Sequence, residues 1–258
     1  MIHGLSGSPY SMKDMGQYFE SRCFLTRAIL LPGHGTRGGD LLEIKHNDWV
    51  EAVDYGISTL KLDVENIFLA GFSLGGALAV NASLKRNDIK AVLLFSPALE
   101  INSSMAWTTP FLRYIVTWID TDEPEGYARY EAMPMNAIAE VYTLSDNIMD
   151  EIMGRTFPIP LFMAQSMDDA VINAKTNLDF FRRYAISTKS VMINFEKTMD
   201  RIDKNDRRIH FFNSHFPDKK IVNFSHLSVH TSPEHLHYGE DGDFKQCEED
   251  IGNKSLKQ

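Results

Sequence analysis

Short apolar runs recur along this chain and predict buried strands. The runs are Val64–Ala70, Ala91–Pro97, Pro158–Ser166, Val191–Phe195 and Lys219–Ser225. Small and apolar residues between the early runs, such as Gly76-Ala77-Leu78-Ala79-Val80, read as helix, and strand–helix alternation predicts an α/β fold. The alternation breaks at residues 101–157. There Trp107, Phe111, Tyr114, Trp118, Tyr127, Tyr130, Met133 and Met135 interrupt a polar background, with Phe111, Tyr114 and Trp118 at near-helical spacing. The charge-dense stretch Lys197–Arg208 predicts a solvated surface excursion before the last strand, expected at Lys219–Ser225.

One motif sharpens this pattern into chemistry. Gly71-Phe72-Ser73-Leu74-Gly75 lies between the Val64–Ala70 strand and the Gly76–Val80 helix, the context of a G-x-S-x-G nucleophile elbow. Such a turn holds its serine in a strained conformation at a helix N-terminus, and glycines on either side let two backbones approach. Ser73 is the candidate nucleophile. A serine hydroxyl then needs a base, a group that orients the base, and donors for an oxyanion.

Three segments in order carry a family resemblance: His3-Gly4-Leu5-Ser6-Gly7-Ser8-Pro9, Leu31-Pro32-Gly33-His34-Gly35-Thr36 and Gly71-Phe72-Ser73-Leu74-Gly75-Gly76, with Trp49 between the last two. Residues 1–100 resemble an α/β-hydrolase of the bacterial carboxylesterase and monoacylglycerol lipase type. The resemblance implies a mostly parallel sheet flanked by helices, ester hydrolysis through an acyl-enzyme, and no cofactor. It further implies oxyanion donors at the backbone N–H groups of Leu5 and Leu74, with His3 shaping the turn. Core segments at 1–100 and 158–258 would enclose a helical lid at 101–157, whose aromatics and methionines line an acyl pocket. The usual family sheet has two further strands before the oxyanion turn, so its amino-terminal side is expected to be missing here. A closing helix after Glu240 is not evident.

The acid is expected after the Pro158–Ser166 strand, in the chain order Ser, Asp, His. Asp168 and Asp169 compete; Asp169, framed by Ser166 and Ile172, fits the family pattern at both ends, and Asp168 would be an exposed loop carboxylate. The base must be a later histidine. Ser225-His226-Leu227 resembles the family's small-His-apolar pattern, which favours His226, with His230 as runner-up and His210 and His215 expected to be exposed. His226, His230, His235 and His237 lie close enough in sequence to raise a metal site. Zinc sites prefer short fixed spacings with a cysteine or carboxylate, and no H-E-x-x-H is present, so no metal is expected.

Composition narrows the context. The chain has 258 residues, is 43% hydrophobic and carries a formal charge of −9, enough for one sizeable core and unsuited to nucleic acid as a partner. Cys23 and Cys247 do not make a disulfide framework. No apolar run reaches the roughly 20 residues of a membrane span, and no secretory signal pattern is present, so a cytoplasmic setting is expected. The resemblance implies a small ester or lipid as partner, expected to be of short-to-medium acyl length because the lid is apolar and adaptable. The same three residues would serve a lipase, thioesterase or acyltransferase, and a catalytically degenerate scaffold that acts by binding is the alternative outside enzymology.

Overall fold

The computed structural model describes residues 1–120, 129–130, 132–198, 206–219 and 221–235. The first half holds α1 (Lys13–Glu20) and α2 (His46–Leu60), then the expected alternation β1 (Ile67–Phe72), α3 (Leu74–Lys85) and β2 (Ile89–Phe95). The middle holds α4 (Thr109–Leu112), β3 (Trp118–Asp120), β4 (Ala132–Pro134) and α5 (Met135–Ile152). The chain then returns through β5 (Leu161–Ser166), α6 (Ala174–Tyr184), β6 (Val191–Glu196) and β7 (Ile209–Asn213). Five strands form one sheet in the order β1-β2-β5-β6-β7, every pair parallel. Parallel pairing demands a long crossover between neighbours, which α3, the 101–157 segment and α6 supply for β1–β2, β2–β5 and β5–β6.

Helix faces explain the layering. In α2 the buried residues Trp49, Val53 and Ile57 recur every four positions, and in α5 Ala137, Val141, Leu144 and Ile148 do the same every three or four. Both stripes join the main core with Leu78, Val92, Leu94, Leu161 and Met192. Helix α3 is different: Leu74 to Ala82 are all buried, so small residues are what let it lie flat on the sheet. On the other sheet face a smaller cluster gathers Met12, Met15, Ala70 and Phe72 beneath α1.

Two expectations change. The last strand is Ile209–Asn213, paired with β6, and not Lys219–Ser225. Pro217–Lys219 forms a short 3₁₀ turn, and Ile221 makes only an isolated bridge back to Phe216. The Ile209-His210-Phe211-Phe212 run has the β-branched and aromatic content of a strand but was masked by the charged stretch before it. Residues 199–205 of that stretch, Tyr127, His237 and Cys247 lie outside the described residues. The segment 101–157 also contains more than helices, because β3 and β4 pair as an antiparallel ribbon, Trp118 opposite Pro134. Cys23 is exposed. Among the described residues no helix is long and apolar enough to cross a membrane.

One buried ion cluster fastens the middle segment to the body. Glu140 of α5, 4% exposed, accepts from the His46 backbone N–H at 2.9 Å and faces His46 Nδ1 and Arg113 Nη1 at 2.6 Å each. Burial alone would raise its pKa, but the His46 and Arg113 hydrogen bonds outweigh that and hold the carboxyl below its usual range. Removing one partner of a buried pair strands the other. Glu140→Gln should therefore destabilise the protein by about 3 kcal/mol at pH 7, measured by urea unfolding. The difference should shrink on acidification, because a depressed carboxyl loses its contribution as pH falls through its folded pKa.

Candidate active site

The elbow is held from three sides. Ser73 has φ 53° and ψ −117°, in the left-handed region that residues with a Cβ avoid. Its N–H donates to Phe95 O at 3.0 Å and its carbonyl accepts from Ala98 N–H at 3.0 Å, so β2 pins the strained peptide. A Cβ on Gly71 would lie 2.2 Å from Gly75 O, and one on Gly75 would lie 2.1 Å from Ile2 O. Both glycines are thus required by backbone contact, the second because it seats the start of α3 against the Ile2–His3 segment. The Ser73 side chain makes no capping bond to α3.

That segment is tied in as a strand would be, with Ile2 N–H donating to Ala70 O at 2.8 Å and Phe72 N–H donating to Ile2 O at 3.1 Å. Beyond it, Gly4 O accepts from Gly7 N–H at 3.1 Å and from His3 Nδ1 at 2.9 Å. A peptide is planar and trans, so fixing the Gly4 carbonyl aims the Leu5 N–H in the opposite direction. His3 Nε2 accepts from Leu31 N–H at 3.2 Å, which assigns the proton to Nδ1. Burial pushes the His3 pKa down to about 4, His34 adding to the effect and the Gly4 carbonyl opposing it. His3 is a neutral strut for the turn. Neither Leu5 N–H nor Leu74 N–H donates to an acceptor among the described residues, leaving both free for a ligand oxygen.

The Leu31–Thr36 segment braces the same turn. His34 Nε2 lies 2.6 Å from Leu5 O, and Pro32 O accepts from Trp49 Nε1 at 3.1 Å. Tyr130 donates its hydroxyl to Gly33 O at 2.8 Å and stacks on His34 with ring centroids 6.0 Å apart. Arg129 donates to Ser6 Oγ at 2.8 Å. Nothing in the sequence around Arg129 and Tyr130 signals contacts with loops roughly a hundred residues away.

The two carboxylates separate clearly. Asp169, 4% exposed, faces His226 Nδ1 through Oδ2 at 2.6 Å. Its Oδ1 accepts from Val171 and Ile172 N–H at 2.8 and 3.1 Å. Asp168 is half-buried instead of exposed, and its Oδ2 accepts from Lys197 N–H at 3.0 Å and Ser214 Oγ at 3.2 Å. It fastens two loops and does not bond a histidine. His226 reaches Asp169 from irregular chain beyond β7, not from the end of a strand. A Ser73 Oγ–His226 Nε2 hydrogen bond is not formed, a link that often tightens only with substrate bound.

None of the other described histidines bonds Asp169. His210 is exposed on β7, and His215 Nδ1 contacts Val222 O at 2.9 Å. His230 is stacked on Phe72, and His235 lines a small cleft with Gly4, Phe72 and Leu227. Among the described residues no three His, Cys, Asp or Glu side chains converge as a metal site would require.

The elbow, the His-Gly turn and Asp169 fall within a family match over residues 1–206, and His226 lies beyond it. The chain belongs to the alpha/beta hydrolase family. A thermostable monoacylglycerol lipase of Bacillus sp. (strain H-257) is 29% identical over 109 residues, 42% of this chain and 44% of that protein. The chain therefore aligns with less than half the length of that relative. A structure of the metagenome-derived lipolytic enzymes LipS and LipT superposes with a TM-score of 0.66 at 22% identity, over 75% of this chain and 80% of that one. A monoacylglycerol lipase of Paleococcus ferrophilus gives 0.63 at 18% identity, over 76% and 82%. These two likenesses speak for the fold.

In this alpha/beta hydrolase the buried imidazoles set an acid limit. His3, His34 and His230 all have pKa values lowered mainly by burial, His3 to about 4 and His230 to about 3. Below the unfolded value near 6.5 the unfolded chain binds more protons, so stability is full above that pH and falls as pH drops. Each contributes a slope of up to about 1.4 kcal/mol per pH unit. Urea unfolding between pH 6.5 and 5 should show that slope, and His3→Gln should lower it by roughly one histidine's share.

Proposed function

We propose that this chain is a serine hydrolase that cleaves carboxylic esters by two-step acyl transfer. The observation that carries the reading is the pair formed by Asp169 and His226, buried and joined at 2.6 Å, in a chain whose serine stands at a strained elbow. His226 takes the Ser73 proton as the hydroxyl attacks the ester carbonyl, and Asp169 fixes the tautomer with the proton on Nδ1. The Leu5 and Leu74 N–H groups receive the oxyanion, each contributing roughly 3 kcal/mol. His226 then protonates the leaving alcohol and activates the water that releases the acid.

Residues 101–157 are proposed as the lid. Met105, Trp107, Phe111, Tyr114 and Ile115 leave much apolar surface exposed there. That supports neutral esters of short-to-medium acyl length as substrates, each buried methylene adding about 0.8 kcal/mol until the pocket is filled. The lipolytic relatives favour ester or lipid substrates over thioesters and amides, which the same three side chains would also serve.

Kinetics on p-nitrophenyl esters from acetyl to palmitoyl test this reading. Asp169→Asn should lower kcat by about four orders of magnitude, as loss of the orienting carboxylate does in serine proteases. Asp168→Asn should leave kcat within about tenfold and lower the unfolding midpoint instead, because two loop hydrogen bonds weaken. A kcat loss from Asp168→Asn as large as that from Asp169→Asn would refute the assignment, and a flat chain-length profile would remove the acyl pocket.

A further inference from the structure

His226 sits on a segment with no helix or strand of its own, beyond the end of β7 at Asn213. One hydrogen bond to Asp169 fixes the position of Nδ1 but leaves the ring free to swing about that contact. Something else must set the ring plane if Nε2 is to face Ser73.

Phe72, directly before Ser73 and 3% exposed, is in the right place. Its ring centroid lies 4.9 Å from that of His226 at an interplanar angle of 45°, and 3.8 Å from that of His230 at 20°. A Cβ on Gly4 would lie 3.0 Å from Phe72 Cδ1 and Cε1, so the same ring abuts the oxyanion turn. Phe72 therefore touches the histidine segment and the oxyanion turn at once, from the strand that carries the nucleophile.

His230 closes the stack at a cost. Its Nδ1 is buried and makes no well-formed hydrogen bond, the Leu227 carbonyl giving the ring only a weak interaction. An unmade bond of this kind is unfavourable, and a chain that keeps one is under some other constraint. Burial, with the neighbouring His226, keeps the ring neutral well below pH 7 and makes it too weakly basic to serve as a second base. Neutrality also matters to His226, since a second cation nearby would oppose the imidazolium formed in turnover.

We propose that Phe72 and His230 are positioning residues, a ring stack that sets the plane of the His226 imidazole against Ser73. The proposal rests on the hydrolase reading given above. Misplacement of a reacting group by about 1 Å can cost up to 10²-fold in rate. His230→Leu should lower kcat 10- to 100-fold with KM changed less than about threefold. His230→Phe, which can rebuild the stack but has no nitrogen, should restore kcat to within about threefold of wild type. Phe72→Leu should repeat the His230→Leu pattern and serves as the second variant should that protein fail to fold.

A readout independent of turnover is the downfield proton NMR signal of the His226 Nδ1–H on Asp169. It should be sharp in wild type and His230→Phe, and broadened in His230→Leu and Phe72→Leu while the amide spectrum stays folded. Wild-type kcat and a sharp signal in His230→Leu and Phe72→Leu would overturn the stack. So would a His230→Phe protein as slow as His230→Leu, because the nitrogen would then be what matters. If the wild type hydrolyses no ester, the hydrolase reading fails on its own and the NMR comparison still decides the ring stack.

Discussion

Everything at the candidate site depends on one backbone contact that only glycine permits. The first turn of α3 lies so close to the Ile2–His3 segment that a Cβ on Gly75 would stand 2.1 Å from Ile2 O. That approach brings the N-terminus of α3, with its unpaired N–H groups, beside the turn that carries Leu5. The serine between them cannot relax, since both of its backbone groups are bonded to β2 and its neighbour. Strain, helix terminus and the placement of the Gly4–Leu5 turn follow from a single tight crossing.

The surrounding polar groups serve that crossing at different distances. His3 holds the Gly4 carbonyl, His34 holds the Leu5 carbonyl, and Tyr130 caps Gly33 from the middle segment. Each is a directional hydrogen bond that fixes a carbonyl of the turn or of the loop beside it. Charge enters further out, at Glu140 with Arg113 and His46. The middle segment is thus held by the ion cluster and the core face of α5, and by Arg129 and Tyr130 near the turn.

Much of this was legible in the chain because it rests on local spacing. A G-x-S-x-G flanked by strand and helix has few alternative foldings, and Asp169 could be preferred over Asp168 from its position between Ser166 and Ile172. The parallel core strands were equally plain as apolar runs. Reading failed where the signal was not local. Ile209–Asn213 looked like the tail of a charged loop, and the described residues of Lys219–Ser225, the more regular-looking run, stay outside the sheet. The β3–β4 ribbon is set by pairing across residues 121–131, and the Phe72–His230 stack joins residues with no pattern in common. Only three-dimensional packing creates such contacts.

The central claim is that Ser73 is a nucleophile activated by His226. A fluorophosphonate probe tests it most directly, because it reacts with activated serine and not with serine in general. The folded protein should take up one label per chain, and peptide mapping should find it on Ser73. Labelling should vanish in Ser73→Ala and fall steeply in His226→Ala. A label on any other residue, or none on a well-folded sample, would contradict the account.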